Sequence, residues 1–382
     1  MSKFLKVYDR SRVTTDWDCP RKRFWQYEYQ GKGIVSTHTS LELFLGTTVH
    51  DALAAIAVSQ SRDGGVDIDT IATAARQQML DNLLPSVSVD PEGFNFAWEQ
   101  ATLAEGLVRG FYKQVWPSLM TQYPQIVSIE EEMVYNHDGL TFMSKPDLVV
   151  GDESGEFYYV EYKTTSSKKE GWVNSWDTAI QLHSTIKAIE TTKGVKVNNV
   201  IVQGLYKGYE SYGKQNSPFC YAYKRNGNPP FSQDEVRYDY KAGFKKYPVW
   251  EMAGGCKKWV DEMSQDILVD QFPQTAPIFV NDDMVDSFFR QRAFREKEIK
   301  QAMKDLYSDD ESLIDLTHEI VDAAFPQRFD KCIPSFGRPC AYRMLCHGVV
   351  HNPLEQGFVY REPHHSPELD QWREKENEEV LV

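Results

Sequence analysis

The sequence has no long apolar run. Nothing in its 382 residues approaches 18 consecutive apolar side chains, so a membrane-spanning helix is not expected. The opening residues, MSKFLKVYDR, also lack the apolar stretch of a secretory signal peptide, and a cytoplasmic location is therefore expected. The six cysteines do not predict a disulfide framework, because cytosolic proteins rarely keep disulfides.

Basic residues are scarce as well. Lysine and arginine number 42 against 56 aspartates and glutamates, which gives a formal net charge of −14. Non-specific coating of nucleic acid depends on neutralising phosphates, so this balance argues against a general coat protein. It does not exclude an enzyme that contacts nucleic acid within a local cleft.

Hydrophobic periodicity predicts helices before and after a central group of strands. The first third of the chain has helical patterns at residues 41–57, 70–84 and 96–115. Next come β-branched and aromatic runs separated by turn residues, which predict the strands IVSIEEEMVYN, LTFMSKPDLVV and EFYYVEYKTT. A helix at 176–191 and the strands VNNVIVQGLYK and FCYAYK complete this central part.

This order of elements predicts an α/β fold. A mixed β core is expected at about residues 126–225, with helical elaborations at 41–125 and 228–345. A single domain is expected to cover residues 1–365. The tail, 366–382, carries six acidic residues and two basic ones, and it is expected to be disordered.

The most informative segment is SKPDLVVGDESGEFYYVEYKTT. Turn residues between two apolar runs predict a β-hairpin. If Val150 pairs with Tyr158, Asp147 lies directly opposite Glu161, and opposed Cβ atoms are about 4.5–5.5 Å apart. A register shifted by one leaves the two acids near neighbours but requires a bulge at Pro146 for them to share a face. Residues two apart on a strand share a face, so Lys163 projects beside Glu161.

Two carboxylates this close repel each other, and a divalent cation between them removes the conflict. Mg²⁺ is typically held by one or two carboxylates together with waters and substrate phosphate oxygens. A lysine alongside can orient the attacking water and stabilise charge on the phosphorus oxygens, so the parts suit phosphodiester hydrolysis. Acid-x-Lys also occurs at Asp239 with Lys241 and at Glu298 with Lys300. Taken alone, the hairpin motif therefore fits an exposed, charged strand end as well as it fits a metal site.

KPDLVV followed by VEYKTT resembles the PD-(D/E)XK nuclease superfamily, in particular its RecB-like branch. That branch includes nuclease modules of bacterial recombination complexes, CRISPR-associated iron–sulfur exonucleases and phage relatives. The resemblance implies a restriction-endonuclease-like core, with Asp147 and Glu161 as metal ligands and Lys163 positioning the attacking water. It also implies a third ligand, His50, four residues after Gly46 on a helix. Imidazole suits Mn²⁺ better than a pure oxygen site would.

The same branch carries Gln-x-x-x-Tyr on the helix after its lysine. Gln181 matches the glutamine and is expected to touch the substrate or the lysine, whereas Thr185 replaces the tyrosine. This replacement leaves open how the helix contacts substrate. One of Glu130, Glu131 and Glu132 is expected to face the cleft, and the strand pattern does not decide which.

Four cysteines lie near the two ends of the chain: Cys19, Cys332, Cys340 and Cys346. The other two, Cys220 and Cys256, lack matching partners and are expected to be ordinary buried residues. Four thiolates select zinc or an iron–sulfur cluster, and the distance in sequence from Cys19 to Cys332 is too long for an ordinary zinc finger. The placement resembles the iron–sulfur staple of AddB-type and CRISPR-associated nucleases, which implies a structural 4Fe–4S cluster joining the chain ends. The gap between Cys332 and Cys340 is wider than usual in that staple, and a structural Zn²⁺ is the alternative.

The resemblance implies a deoxyribonuclease dependent on Mg²⁺ or Mn²⁺, and in the first place an exonuclease acting on DNA ends or single strands. The alternatives are an endonuclease or flap nuclease on the same site, a non-catalytic subunit that binds DNA ends, and a redox-sensing iron–sulfur protein. The segment GYESYGKQ mimics a P-loop but lacks the Ser or Thr that must follow the lysine, so no ATPase is expected. A helicase or another recombination or CRISPR protein would supply any unwinding.

Overall fold

The computed structural model describes residues 7–37, 41–63, 65–85, 87, 91–166, 172–173, 175–176, 181–207, 221–224, 245–251, 254–263, 265–306, 319–333, 339–349, 352–362, 365 and 368–369. Within these ranges the architecture is mixed α/β, as predicted: a mixed sheet lies between two groups of helices. The segment GYESYGKQ, Cys220 and residues 370–382 of the predicted tail lie outside the described residues.

The strands are, in chain order, β1 (Val7–Tyr8), β2 (Ile34–Ser36), β3 (Gln125–Ile129), β4 (Met133–His137), β5 (Leu140–Ser144), β6 (Leu148–Gly151), β7 (Phe157–Thr165), β8 (Val197–Tyr206), β9 (Tyr221–Lys224), β10 (Lys245–Pro248), β11 (Ile278–Phe279) and β12 (Phe358–Tyr360). The central sheet has the order β11–β8–β7–β6–β3, in which β7 and β8 are parallel and the other neighbours antiparallel. A smaller sheet has the order β1–β5–β4, and β2 pairs with β12 and β9 with β10.

The helices are α1 (Arg10–Asp18), α2 (Pro20–Arg23), α3 (Leu41–Asp63), α4 (Ile68–Leu83), α5 (Pro91–Gln114), α6 (Trp116–Gln122), α7 (Gln181–Lys193), α8 (Gly255–Asp261), α9 (Gln265–Gln271), α10 (Asp282–Leu306), α11 (Glu319–Ala324) and α12 (Arg343–Cys346). The three helical patterns in the first third of the sequence correspond to α3, α4 and α5. Helix α1 was not predicted, because its apolar residues are few and irregularly spaced. None of the helices in the described ranges combines the length and the apolarity that crossing a membrane requires.

Two of the predicted strands are each divided in two. The run at 126–136 forms β3 and β4, and the run at 140–150 forms β5 and β6; in both cases the halves belong to different sheets. The first break falls at Glu130, whose φ of +44° cannot continue a strand. The second contains Pro146, which has no backbone N–H to donate to a neighbouring strand. These two breaks bring the small sheet close to the position where β6 begins.

Apolar side chains cover both faces of the central sheet, because successive residues of a strand point to opposite sides. Leu148, Val150 and Val160 belong to a core formed with α3, α4 and α5. Val149 and Tyr159 belong to a second core on the other face, formed with α7 and α10.

The two ends of the described chain meet in a third core. Phe24, Trp25 and Ile34 pack there against residues of α10, α11, α12 and β12. A buried ion cluster lies alongside: Arg23 donates to Glu296 at 2.6 and 2.7 Å. The N-terminal helices are therefore held by the C-terminal third of the chain.

Candidate active site

Two acidic residues face each other at one end of the β6–β7 pair. Val150 lies opposite Tyr158, and the same register continued past the start of β6 places Asp147 opposite Glu161. Since side chains alternate along a strand, both acids point to the same face of the sheet. Asp147 is 7% exposed and Glu161 0%. The sheet thus holds two carboxylates side by side and almost out of water.

Both oxygens of Asp147 have partners. Oδ2 accepts a hydrogen bond of 2.6 Å from the backbone N–H of Tyr162, and Oδ1 lies 3.2 Å from Nδ1 of His50. His50 lies on α3, which approaches the end of β7 closely: a Cβ on Gly46 would lie 3.7 Å from Oγ1 of Thr164. Because α3 packs on this end of the strand, His50 lies next to Asp147.

Glu161 accepts hydrogen bonds on both of its oxygens. Nη1 of Arg10 donates to Oε1 at 2.6 Å, and Nζ of Lys163 pairs with the same oxygen. The hydroxyl of Tyr159 donates to Oε2. The Lys163 side chain is 22% exposed, so its ammonium lies between the buried acid and the solvent.

A third carboxylate reaches this place from the end of β3. Glu130 donates its backbone N–H to the carbonyl of Asp147 at 3.1 Å, which fixes the left-handed residue next to the acid pair. Its Oε1 lies 3.8 Å from Nδ1 of His50, and its Oε2 accepts from Nζ of Lys145 at 2.9 Å. One ligand atom from each of His50, Glu130 and Asp147 lies within 4.8 Å of the other two.

The electrostatics of the acid pair are unequal. Burial raises the pKa of Asp147, and the charge of Glu161 adds to this against the opposing effect of His50. Burial also acts to raise the pKa of Glu161, but Arg10 and Lys163 outweigh it and lower that pKa to about 2. The site therefore keeps Glu161 charged and disfavours a second negative charge beside it.

His50 completes this picture. Burial acts to lower its pKa, but the Asp147 carboxylate outweighs burial and raises the pKa to about 10. A positive group is thus favoured between Asp147 and Glu130. An imidazole nitrogen and two carboxylate oxygens within reach of one point also form a donor set that suits a divalent cation such as Mn²⁺ or Mg²⁺.

Comparison with known families agrees with this geometry. The model of the PD-(D/E)XK nuclease superfamily matches residues 10–347. The chain belongs to this superfamily. A search of curated proteins finds no match. Pro146–Asp147 and Glu161–Lys163 match the Pro-Asp and acid-x-Lys patterns in the superfamily's name.

Most of the residues that the sequence singled out for the PD-(D/E)XK site lie together in the structure: His50, Asp147, Glu161 and Lys163. Gln181 is the first residue of α7, and its side chain lies outside the described part of the chain. Thr185 is buried on the same helix, 2% exposed. Glu131 pairs with Lys193 and lies away from the cluster.

The structure adds groups to the PD-(D/E)XK site that the sequence did not single out. Glu130 was one of three equivalent glutamates, and only its left-handed backbone distinguishes it. The alternation along β7 could have indicated Tyr159, two residues before Glu161. Arg10 carries no local signal, because it reaches Glu161 across 151 residues of sequence.

The cysteines predicted to bind a cofactor lie where the chain ends meet. Cys19 separates α1 from α2, and the N–H of Cys340 donates to the carbonyl of Cys332 at 3.0 Å. Burial raises the pKa of Cys340, and Cys19 and Cys332 are near enough to raise it further. Burial also raises the pKa of Cys346, to about 11, with Cys340 and Cys19 again nearby.

Cys256 lies apart from this group. It is buried in the core that α3, α4 and α5 form, and its thiol donates to the carbonyl of Thr102 at 3.8 Å. This agrees with its interpretation as an ordinary core residue.

Proposed function

We propose that this PD-(D/E)XK protein is a deoxyribonuclease that requires Mg²⁺ or Mn²⁺ and acts as an exonuclease on DNA ends or single strands. The observation that carries the proposal is the buried pair of Asp147 and Glu161, with Lys163 on one side and His50 and Glu130 on the other. An exposed, charged strand end would need none of this burial, nor a histidine supplied by a separate helix.

The metal ligands in this proposal are His50, Asp147 and Glu161, and Glu130 joins them. Each carboxylate oxygen has two lone pairs, so the two donors on Oε1 of Glu161 and the one on Oε2 leave one position for a metal bond, on Oε2. When bound, the cation supplies a Lewis acid and lowers the pKa of a coordinated water. Negative charge at Asp147, which burial disfavours, is then compensated.

The remaining roles concern water and substrate. Lys163, at the solvent side of Glu161, would orient the attacking water and donate to the phosphate oxygens that gain charge. Gln181, at the start of α7, would touch the substrate or Lys163. We place the protein in the RecB-like branch because His50 follows Gly46 at that branch's spacing and lies against Asp147.

The test compares labelled linear DNA with covalently closed circular DNA in Mn²⁺, in Mg²⁺ and in EDTA. We expect linear DNA to be degraded only with a divalent cation and circular DNA to stay intact. Lys163→Ala should abolish Mn²⁺-dependent degradation and retain DNA binding. Cleavage of the circle would favour the endonuclease alternative, whereas no cleavage with any cation would overturn the proposal.

We also propose that Cys19, Cys332, Cys340 and Cys346 hold a structural 4Fe–4S cluster. The support is their convergence from the two ends of the chain: Cys340 is close enough to Cys19 and Cys332, and Cys346 to Cys340 and Cys19, for the charge of one thiolate to raise the pKa of the next. Four thiolates at one place suit a cluster or a zinc ion.

Iron, sulfide and zinc analysis of protein purified without oxygen tests the cluster. A brown protein that contains iron and acid-labile sulfide is expected, and Cys340→Ser should lose both. Zinc in stoichiometric amount without iron would favour the structural Zn²⁺ alternative.

We propose that residues 1–365 form one RecB-like nuclease domain. Two contacts support this extent: β2, near the start, pairs with β12, and His365 lies 2.5 Å from Asp9. The contact of Glu368 with the N–H of Val7 extends it into the predicted tail by a few residues. If unwinding is needed, a helicase or a recombination or CRISPR protein would act as partner.

A further inference from the structure

We propose that Arg10 binds a phosphate of the DNA strand at the reaction centre. This role rests on the proposed nuclease function, but it concerns substrate binding and is measurable without cleavage. Three observations support it: where α1 begins, what the guanidinium of Arg10 contacts, and how the charges of the site add up.

The start of α1 is fixed close to the acid pair. Strand β1 runs parallel to β5, and Tyr8 lies opposite Phe142, so the chain arrives beside the segment that leads to Asp147. Asp9 then caps the helix, because its Oδ1 accepts the N–H of Arg12 at 2.6 Å. Arg10 is therefore the first helical residue, on a backbone that two elements hold.

Most N–H groups of the Arg10 guanidinium do not donate to Glu161. It carries five N–H groups in a planar fork. Within the described part of the chain its guanidinium donates to Glu161 alone, at 2.6 Å, and its side chain is 34% exposed. The fork thus reaches from solvent to a buried site residue, and most of its N–H groups can take a second partner.

The charges of the site call for an anion once a divalent cation is present. Among the groups in direct contact, three carboxylates are balanced by three permanent cations: Glu130, Asp147 and Glu161 against Arg10, Lys145 and Lys163. With His50 neutral as a ligand, a divalent cation leaves this contacting set with two excess positive charges. A phosphodiester supplies one negative charge, and arginine matches phosphate oxygens with two parallel hydrogen bonds.

Glu161 also keeps other donors if Arg10 turns away from it. Lys163 shares the same oxygen, and Tyr159 donates to the other one, so Glu161 keeps two donors when the guanidinium turns to phosphate. Lys145, in contrast, lies on the far side of the cluster and pairs with Glu130.

The experiment measures binding of a fluorescent single-stranded oligonucleotide in Ca²⁺ over a range of salt concentrations, together with kcat and KM for cleavage in Mn²⁺. The variants are Arg10→Ala and Arg10→Lys. The matched control is Arg62→Ala, because Arg62 is exposed on the same helix as His50 and about 18 Å further along it.

Arg10→Ala should lower kcat/KM by about 10- to 100-fold, the loss typical of a hydrogen bond to a charged group. The slope of log Kd against log salt should fall by about 0.7, the value for one phosphate contact on a single strand. Arg10→Lys should keep the slope and recover part of kcat/KM, and Arg62→Ala should change neither. Thermal unfolding of each variant shows that it is folded; if Arg10→Ala is not, Arg10→Gln replaces it.

An unchanged salt slope in folded Arg10→Ala would overturn the proposal. So would faster cleavage at low Mn²⁺, because Arg10 would then be only a counter-ion that competes with the metal for Glu161. If the wild type never cleaves DNA but Arg10→Ala still lowers the salt slope of binding, the nuclease function fails while the phosphate contact stands.

Discussion

The β6–β7 hairpin and the junction of the two chain ends supply groups to one site, yet they are encoded over very different distances in the sequence. In the hairpin, one turn and the alternation of a strand bring Asp147 opposite Glu161. In the junction, Arg10 reaches Glu161 across 151 residues, and His365 supports the neighbouring Asp9 from the far end of the chain.

Short-range and long-range contacts therefore determine different properties of the site. Local geometry decides which acids meet, and long-range packing decides which charges surround them. The pKa of Glu161 illustrates the effect of long-range packing, since Arg10 of the distant helix lowers it most, followed by Lys163 of the same strand and then by His50 of α3. Changes in the hairpin should therefore affect chemistry first, and changes in the junction that do not involve Arg10 should affect stability first.

Within the acid pair, Asp147→Asn should have a large effect on chemistry. We expect cleavage to fall by about 10³-fold, on the scale of removing a key electrostatic group from an active site. In metal-free buffer the thermal midpoint should stay equal or rise, because a buried negative charge beside Glu161 is removed while an acceptor for the N–H of Tyr162 remains. Cleavage assays and thermal unfolding check this. A marked loss of stability would show that the hairpin depends on the charge.

Glu296→Gln should have the largest effect on stability. Arg23 is fully buried and makes two hydrogen bonds to Glu296, so losing that charge leaves Arg23 paired with Glu28 alone. Breaking a buried ion pair typically costs about 3–5 kcal/mol of unfolding free energy. Chemical denaturation measures the loss, and activity per folded molecule should persist.

The matched control for that variant lies on the same helix. Glu298 is half-exposed and 3.5 Å from Arg295, so Glu298→Gln should change the unfolding free energy by less than about 0.5 kcal/mol. Equal losses in both variants would contradict the view that the buried cluster stabilises the junction.

The same division explains what could be predicted from the sequence. The α/β fold, the hairpin and the meeting of the acids follow from periodicity and turn chemistry, which act within a few residues. The sequence left two registers open, and the structure has the one that pairs Val150 with Tyr158. The split at Glu130 could not be predicted, because a non-glycine residue in the left-handed region leaves no compositional mark. Arg10 could not be predicted either, since its contact depends on tertiary packing.

Asp16→Asn should make the junction's stability depend less on pH. Burial acts to raise the pKa of Asp16, but Arg23, Arg295 and Arg292 outweigh it and lower the pKa. A lowered folded-state pKa contributes stability above the unfolded value, about 4, and loses it as pH falls through the folded value. The difference in unfolding free energy between wild type and variant should therefore be largest near neutral pH and shrink below about pH 4. A difference that grows in acid would contradict this.

Asp152→Ala should have the smallest effect, and it tests how much the hairpin depends on its turn. Oδ1 of Asp152 accepts the N–H groups of Ser154 and Glu156, each at 2.9 Å, in the pattern of an Asx turn. Because β6 and β7 are also held by their neighbours β3 and β8, we expect Tm to fall by only about 1–2 °C. Asp152→Asn retains a carbonyl acceptor and should change Tm less. If Tm falls equally in Asp152→Ala and Asp152→Asn, the charge of Asp152 matters more than its hydrogen bonds. If the fall in Tm is much larger than about 1–2 °C, the turn rather than the sheet holds Asp147 opposite Glu161.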